Sequence, residues 1–126
     1  MNVITPDSLG EFSARFGDCH DALVKSLSVS LGHREPVCEV VLEAIDLESP
    51  SSWSVVTFRM DGFKGIHFDR RSHAPEAIFG LRIFFLGDEV RLYIDGHPNG
   101  EEMLELSESL AYVIGNRISW DAAFIP

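Results

Sequence analysis

Three residue types that occur in catalytic sites stand side by side at Cys19, His20 and Asp21. A thiol nucleophile needs a histidine base within hydrogen-bond distance and an acid that orients this base. In an extended chain Cys19 and Asp21 point to one side and His20 to the other, so their contiguity argues against catalysis. We therefore expect His20 and Asp21 to form a structural motif that hydrogen-bonds to the backbone at the start of the first strand.

A second candidate site begins at His67 and Asp69, which would share one face of a strand. Imidazole and carboxylate ligands suit zinc, iron or manganese, and His73 is a candidate third ligand. No His-Glu-x-x-His or Cys-x-x-Cys motif fixes such a ligand. The polar face of a strand with Ile66 and Phe68 buried explains the same residues. We expect no metal or cofactor, and keep His67, Asp69 and His73 as ligands of an alternative metal-dependent enzyme.

The two cysteines, Cys19 and Cys38, are the only candidates for a disulfide. If residues 24–31 and 37–46 form a hairpin, Cys38 lies opposite the region of Ser30. Cys19 then lies beyond the roughly 7 Å between Cα atoms that a disulfide spans. Residues 1–6 have neither the basic flank nor the apolar run of a secretory signal. We therefore predict buried, free thiols in a reducing, cytoplasmic compartment.

The charge of the chain is strongly acidic, with 20 acidic and 10 basic residues and a net charge of −10. Residues 59–82 carry a net charge of +2. This basic segment is short and is interrupted by acidic residues, so we do not expect it to bind phosphates and expect no nucleic-acid partner. No stretch approaches the roughly 20 apolar residues that span a bilayer, so we expect no membrane partner. The acidic surface suits a basic protein partner, or serves solubility alone.

The length of 126 residues and the apolar content of 45% predict one domain over residues 1–126. The residues Thr5 and Pro6 predict the start of an N-terminal helix, which Gly17 ends. Alternating apolar residues then predict about six strands of one antiparallel sheet. Residues 77–86 are nearly all apolar, which indicates a central strand that is covered on both faces. The predicted class is α+β, a single antiparallel sheet with an N-terminal and a C-terminal helix.

The C-terminal helix is predicted from Asn99, a candidate N-cap, to Gly115. Its acidic face is either a solvated surface or a docking surface for a basic partner. That face is formed by Glu101, Glu105 and Glu108. The tail after this helix is apolar, and it either closes the core or forms a patch through which two copies associate as a homodimer. The tail residues concerned are Trp120, Phe124 and Ile125.

A family resemblance rests on the run from Phe16 to Val24, which contains His20-Asp21-Ala22 and leads into a strand. It resembles small bacterial proteins in which a His-Asp-Ala or His-Asp-Ser motif opens the first strand. These include uncharacterised domains and the immunity proteins of polymorphic toxin systems, which bind and neutralise a cognate toxin. Residues 55–63 are similar to a second stretch of that pattern, a strand that ends in an aromatic turn.

The resemblance covers about the first half of the chain, which departs from the pattern at Cys19, where an aromatic residue is typical. It also departs in its C-terminal helix. The resemblance implies that His20 and Asp21 are a structural signature. Together with the charge, it favours a non-enzymatic, immunity-like domain that neutralises a basic protein partner. The alternatives are the metal-dependent enzyme and a self-associating structural module.

Overall fold

The computed structural model describes residues 1–32, 34–68, 78, 80–95 and 111–126. In this part of the chain, nine strands form two antiparallel sheets, and one short helix lies between β1 and β2. The elements are β1 (Asn2–Ile4), α1 (Leu9–Phe16), β2 (Leu23–Ser30), β3 (Val37–Ile45), β4 (Trp53–Asp61), β5 (Gly65–Phe68), β6 (Gly80–Leu86), β7 (Glu89–Asp95), β8 (Ala111–Gly115) and β9 (Arg117–Phe124). The strand order is β1-β9-β4-β3-β2 in one sheet and β5-β8-β7-β6 in the other.

The prediction of a single antiparallel sheet with an N-terminal and a C-terminal helix is wrong, because the described chain is mostly β and divides its strands between two sheets. Residues 111–115 of the predicted C-terminal helix form β8, and residues 99–110 lie outside the described residues. The stretch alternates between buried and half-buried residues. It hydrogen-bonds with β5 on one side and β7 on the other, and this pairing overrides its helical spacing.

The N-terminal helix is confirmed, but it begins later than predicted. Thr5 and Ser8 close a turn in which each side-chain hydroxyl accepts a hydrogen bond from the other residue's backbone N–H, at 2.9 and 3.2 Å. The helix then starts at Leu9 and spans eight residues. No helix in the described part is long and apolar enough to cross a bilayer.

The hairpin predicted for the first half of the chain is formed by β2 and β3. Cys38 lies opposite Val29, one position from the predicted register, and a bulge at Lys25 shifts the pairing near the start of β2. The even-numbered residues of β3 and β4 are buried, and most odd-numbered ones are half-buried. This alternation is the period-two signal that predicted the strands.

The helix α1 covers part of the inner face of the five-stranded sheet. Phe12 and Phe16 pack against Phe58 of β4 and Trp120 of β9, with ring centroids 5.3–5.4 Å apart. Tilted and edge-to-face rings of this kind contribute about 0.5–1.5 kcal/mol per pair beyond the area that they bury. The aromatic residues therefore attach the helix to the sheet.

The two sheets meet at a corner where the chain passes from one to the other. The strands β4 and β9 pair in the five-stranded sheet, and their neighbours along the chain, β5 and β8, pair in the other. Only Asn116 separates β8 from β9, and its backbone N–H donates to the Asp61 carbonyl at 2.9 Å. A Cβ at Gly115 would meet that carbonyl oxygen at 2.8 Å and also the Met60 side chain. The corner therefore requires glycine at this position.

The strand β6 corrects a further prediction, because residues 80–86 lie at an edge of the four-stranded sheet and not at its centre. Its apolar run is explained by packing on both faces. Leu81, Ile83 and Phe85 belong to the core or pack against it, whereas Phe84 packs against Tyr93 on the opposite face.

We expect Gly115→Ala to lower the free energy of unfolding by about 1–3 kcal/mol, because the added methyl group overlaps the backbone of the corner. The matched control is Gly10→Ala in α1, where no atom lies within 4 Å of the added Cβ. That variant should be neutral or stabilised by about 0.5–1 kcal/mol. Urea denaturation measures both, and equal effects at the two glycines would contradict the close approach at the corner.

Candidate functional site

The run Cys19-His20-Asp21 forms a tight turn between α1 and β2, not the extended segment assumed from the sequence. Cys19 and Asp21 have positive φ angles of 58° and 63°. Cys19 is fully buried, whereas the His20 and Asp21 side chains are 62% and 66% exposed, with Nε2 of His20 3.5 Å from the Asp21 carboxylate. The thiol lies in the core and the imidazole in solvent, so the three residues form no catalytic triad.

This turn is attached to the chain that enters β6 by three backbone hydrogen bonds. The Asp21 N–H donates to the Ile78 carbonyl at 3.0 Å, and the Ile78 N–H donates to the Ala22 carbonyl at 2.8 Å. The Leu81 N–H donates to the Asp18 carbonyl at 2.6 Å. A side chain also contributes, since Asp18 Oδ1 accepts a hydrogen bond from the backbone N–H of His20. The turn is therefore held by backbone groups and the Asp18 carboxylate and not, within the described part of the chain, by the side-chain hydrogen bonds expected of His20 and Asp21.

Both cysteines are free and buried, as the sequence predicted. Burial, with a smaller contribution from the Asp18 carboxylate, raises the pKa of the Cys19 thiol to about 12. Burial also raises the pKa of Cys38 to about 11, helped by Glu39. Because the thiolate is the reactive form, neither sulfur is suited to be a nucleophile near neutral pH.

We expect both thiols to resist iodoacetamide in the folded protein at about pH 8 and to react after unfolding in guanidinium. In the folded protein the reagent cannot reach the buried sulfur atoms, and their raised pKa values keep them protonated. Mass spectrometry counts the modified cysteines before and after unfolding. Rapid labelling of either cysteine in the native state would show an exposed or activated thiol and would reopen a nucleophilic role.

His67 lies on the outer face of the four-stranded sheet, away from the core. Its ring stacks on that of Tyr112, with centroids 5.4 Å apart and an interplanar angle of 17°. Its Nε2 atom is buried and finds no hydrogen-bond partner among the described residues. The other proposed ligands, Asp69 and His73, lie outside the described part of the chain. Within that part, no group of three or more His, Cys, Asp or Glu residues is arranged to hold a metal ion.

An aromatic row that the sequence analysis did not single out continues across this face. Tyr93 lies opposite both Tyr112 and Arg82 in the strand register. The Arg82 guanidinium lies 5.8 Å from the ring centroids of Tyr93 and Phe84. Tyr93 is only 2% exposed, so this row presents a packed surface and not an open aromatic one. Sequence alternation shows which face each residue occupies, but its cross-strand neighbours depend on register.

Asp46 is the only buried carboxylate among the described residues, and it accepts four hydrogen bonds. Arg15 of α1 donates from two nitrogens at 2.8 and 2.9 Å. The Ser54 hydroxyl donates at 2.5 Å and the Glu48 backbone N–H at 2.9 Å. The Arg15 hydrogen bonds do most to lower the pKa of Asp46 to about 2. A carboxylate with its lone pairs occupied in this way serves structure and not proton transfer.

The apolar tail is part of the five-stranded sheet, where β9 pairs with β1 and β4. Trp120 packs against the core, and the Arg15 guanidinium lies 5.5 Å from the centroid of its ring. Phe124 is 53% exposed, and the Ile125 N–H donates to the Trp53 carbonyl. Of the two expectations for the tail, core closure describes Trp120, whereas Phe124 remains at the surface.

The acidic face of the predicted C-terminal helix, expected to be either a solvated surface or a docking surface, is not part of the described chain. Glu101, Glu105 and Glu108 all lie outside the described residues. Phe68, which was expected to be buried, is 49% exposed. The candidate binding surface in the described part therefore lies elsewhere.

An open groove of about 510 Å³ lies between α1 and the edge strand β6. Its lining is mainly apolar and comes from the helix, the residues just after it, and the strand. These residues are Leu9, Phe12, Ser13, Gly17, Asp18, Leu81, Arg82, Ile83 and Phe84. The sequence predicted both elements but not the groove, because residues 9–18 and 81–84 meet only through tertiary packing.

Comparisons with known proteins add no identification: no family model, no curated protein and no solved structure matches this chain. The function must therefore be argued from the chemistry and geometry of the described residues.

We expect Asp46→Asn to lower the free energy of unfolding by about 3 kcal/mol, because it leaves Arg15 without its charged partner. Urea denaturation at neutral pH measures the loss. The control is Asp88→Asn, which neutralises an exposed acid and should change stability by less than about 0.5 kcal/mol. An Asp46→Asn variant as stable as the wild type would contradict the structural role of the pair.

The same ion pair predicts a pH dependence of stability. The pKa of Asp46 is lowered from 3.8 to about 2 in the folded state, so its contribution is complete above the unfolded pKa. The contribution of about 2 kcal/mol is lost as the pH falls from about 4 towards 2. Urea denaturation at several pH values over this range should show that the free energy of unfolding falls by about 2 kcal/mol more in the wild type than in Asp46→Asn. Parallel profiles would refute the assignment.

Proposed function

We propose that this chain is a non-enzymatic protein-binding domain that takes a basic protein partner. The observation that carries the proposal is the open, mainly apolar groove between α1 and β6 on a chain of net charge −10. Apolar area supplies affinity, and complementary charge steers a partner of opposite sign to the surface. We further propose an immunity-like role in which binding neutralises the partner, as the resemblance of residues 16–24 implies.

The chemistry of the described residues supports binding over catalysis. The thiols of Cys19 and Cys38 are buried, with pKa values raised to about 12 and 11. The buried carboxylate of Asp46 is held by Arg15 and by two further donors. Each of these groups is thus either buried or hydrogen-bonded within the fold. The two free cysteines also support a reducing compartment such as the cytoplasm.

The charges near the groove support a basic partner. Asp18 lines the groove and is exposed, and Asp88 is exposed at the turn beyond the other end of β6. Arg82, the one cation among the described lining residues, lies over the rings of Phe84 and Tyr93. Attraction between exposed charges is screened over about 8–10 Å at physiological salt, so binding should weaken as salt rises.

We expect affinity capture from a lysate of the source cell to retain a basic protein at low salt and to release it at high salt. Ser13→Trp places a large side chain in the groove from an exposed position on α1 and should reduce capture at least about tenfold by steric block. Ala14→Trp, at the next exposed position and outside the lining, should capture as the wild type does. Mass spectrometry identifies and quantifies the retained protein.

Two outcomes would count against the proposal. Capture of no protein at either salt concentration would remove the binding function. Equal loss of capture in Ser13→Trp and Ala14→Trp, with both variants folded by circular dichroism, would show that the groove is not the binding surface.

A further inference from the structure

We infer that the partner binds by strand addition: an extended segment with basic residues near its ends pairs with the edge of β6 that no other described strand covers, and lies in the groove beside α1. This inference rests on the proposed function, and it specifies the class of ligand and the atoms that recognise it. An exposed strand edge with a neighbouring apolar groove is a known geometry for peptide recognition.

The direction of the β6 backbone groups follows from two observations. The Leu81 N–H donates to the Asp18 carbonyl, so Leu81 turns its backbone groups away from β7. At the other end, Leu86 and Glu89 flank the two-residue turn to β7 and form the closing pair of that hairpin. Backbone groups alternate between the two sides of a strand, so both observations direct those of Ile83 and Phe85 away from β7.

The outward backbone groups of Ile83 and Phe85 have no backbone partner among the described residues. The preceding outward group, at Leu81, is already paired with Asp18. The hydrogen bond between Leu81 and Asp18 is thus the first rung of a ladder along the outer edge of β6, and no further backbone rung follows it among the described residues. An added strand would continue this ladder along Ile83 and Phe85, and only a polypeptide backbone supplies alternating donors and acceptors at this spacing.

The side chains around this edge suit an extended segment that alternates in polarity. Leu9 and Ile83 line the groove and are half-buried, and Phe12 lies at its base. Alternate side chains of an added strand would point into the groove and the others into solvent. Apolar residues are therefore expected at every second position of the segment.

Charge selects a basic segment over a second copy of this chain. The exposed carboxylates of Asp18 and Asp88 lie near the two ends of β6. Antiparallel pairing of β6 with another β6 would bring these acids together between two chains of net charge −10 each. A lysine or arginine near each end of the segment would instead meet an opposite charge.

The test uses the full chain and a peptide of alternating Lys and Val, equal in length to the seven residues of β6. Amide hydrogen exchange is followed by NMR. In the free protein the Ile83 and Phe85 amides should exchange quickly, and about millimolar peptide should slow both at least about tenfold. The same peptide with N-methylated valines has equal charge but lacks these donors, and it should give no such protection. Ile83 and Phe85 amides that are already protected in the free protein would overturn the inference.

Two variants test the backbone contact. Ile83→Pro removes an outward N–H and leaves the hydrogen bonds between β6 and β7 intact, so it should fold and lose peptide binding at least about tenfold. Ile83→Ala shortens the same side chain but keeps the N–H, and it should bind more tightly than the proline variant. Equal binding by the two variants would contradict strand addition. If the proline variant fails to fold, the N-methylated peptide still decides the result.

The outcomes separate this inference from the proposed function. Equal binding of the N-methylated and unmodified peptides would show attraction by charge alone, which overturns strand addition but leaves a basic partner in place. A shift of the protein to dimers on sedimentation, with β6 protected without peptide, would assign the edge to a second copy and overturn the inference. No binding of either peptide, together with no protein captured from the lysate, would remove both.

Discussion

The buried ion pair between Arg15 and Asp46 fixes the helix α1 against the five-stranded sheet, and the groove beside β6 depends on where that helix lies. Placing a carboxylate out of contact with water costs several kcal/mol unless its charge and lone pairs are satisfied. Here two Arg15 nitrogens, a hydroxyl and a backbone N–H satisfy it. The guanidinium also lies over the rings of Phe16 and Trp120, so one side chain joins the helix, the loop after β3, and β9. A helix held less firmly would widen or close the groove.

The groove lies where the edge strand of the four-stranded sheet comes next to the helix that covers the five-stranded sheet. Within the described residues one sheet has five strands and the other four, and the helix covers part of the inner face of the larger sheet beside the edge of the smaller one. Natural proteins commonly protect edge strands, because unpaired backbone groups recruit other chains. In β6 the turn that carries His20 and Asp21 protects the first rung, at Leu81, and Ile83 and Phe85 follow without a backbone partner in the described chain. The motif that resembled a catalytic run thus contributes to the proposed site by limiting the edge.

In the proposed function, the acidic charge and the groove contribute to different steps of recognition. Charge acts over a distance and raises the rate of encounter, but it does not specify which residues meet. Backbone pairing and apolar contact act only at close range and specify an extended segment. The strand edge at Ile83 and the flanking acids Asp18 and Asp88 combine the two within the length of a single strand.

The sequence by itself determined the local features of this protein: the hairpin of β2 and β3, the apolar stripe of α1, and the burial of both thiols. These depend on side-chain period and turn residues, which act over a few positions. Only the tertiary structure decided that residues 111–115 form a strand, that residues 80–86 lie at an edge, and that there are two sheets. The backbone partners of residues 111–115 lie in β5 and β7, far away along the chain, and the pairing energy that they supply exceeds a local preference for helix.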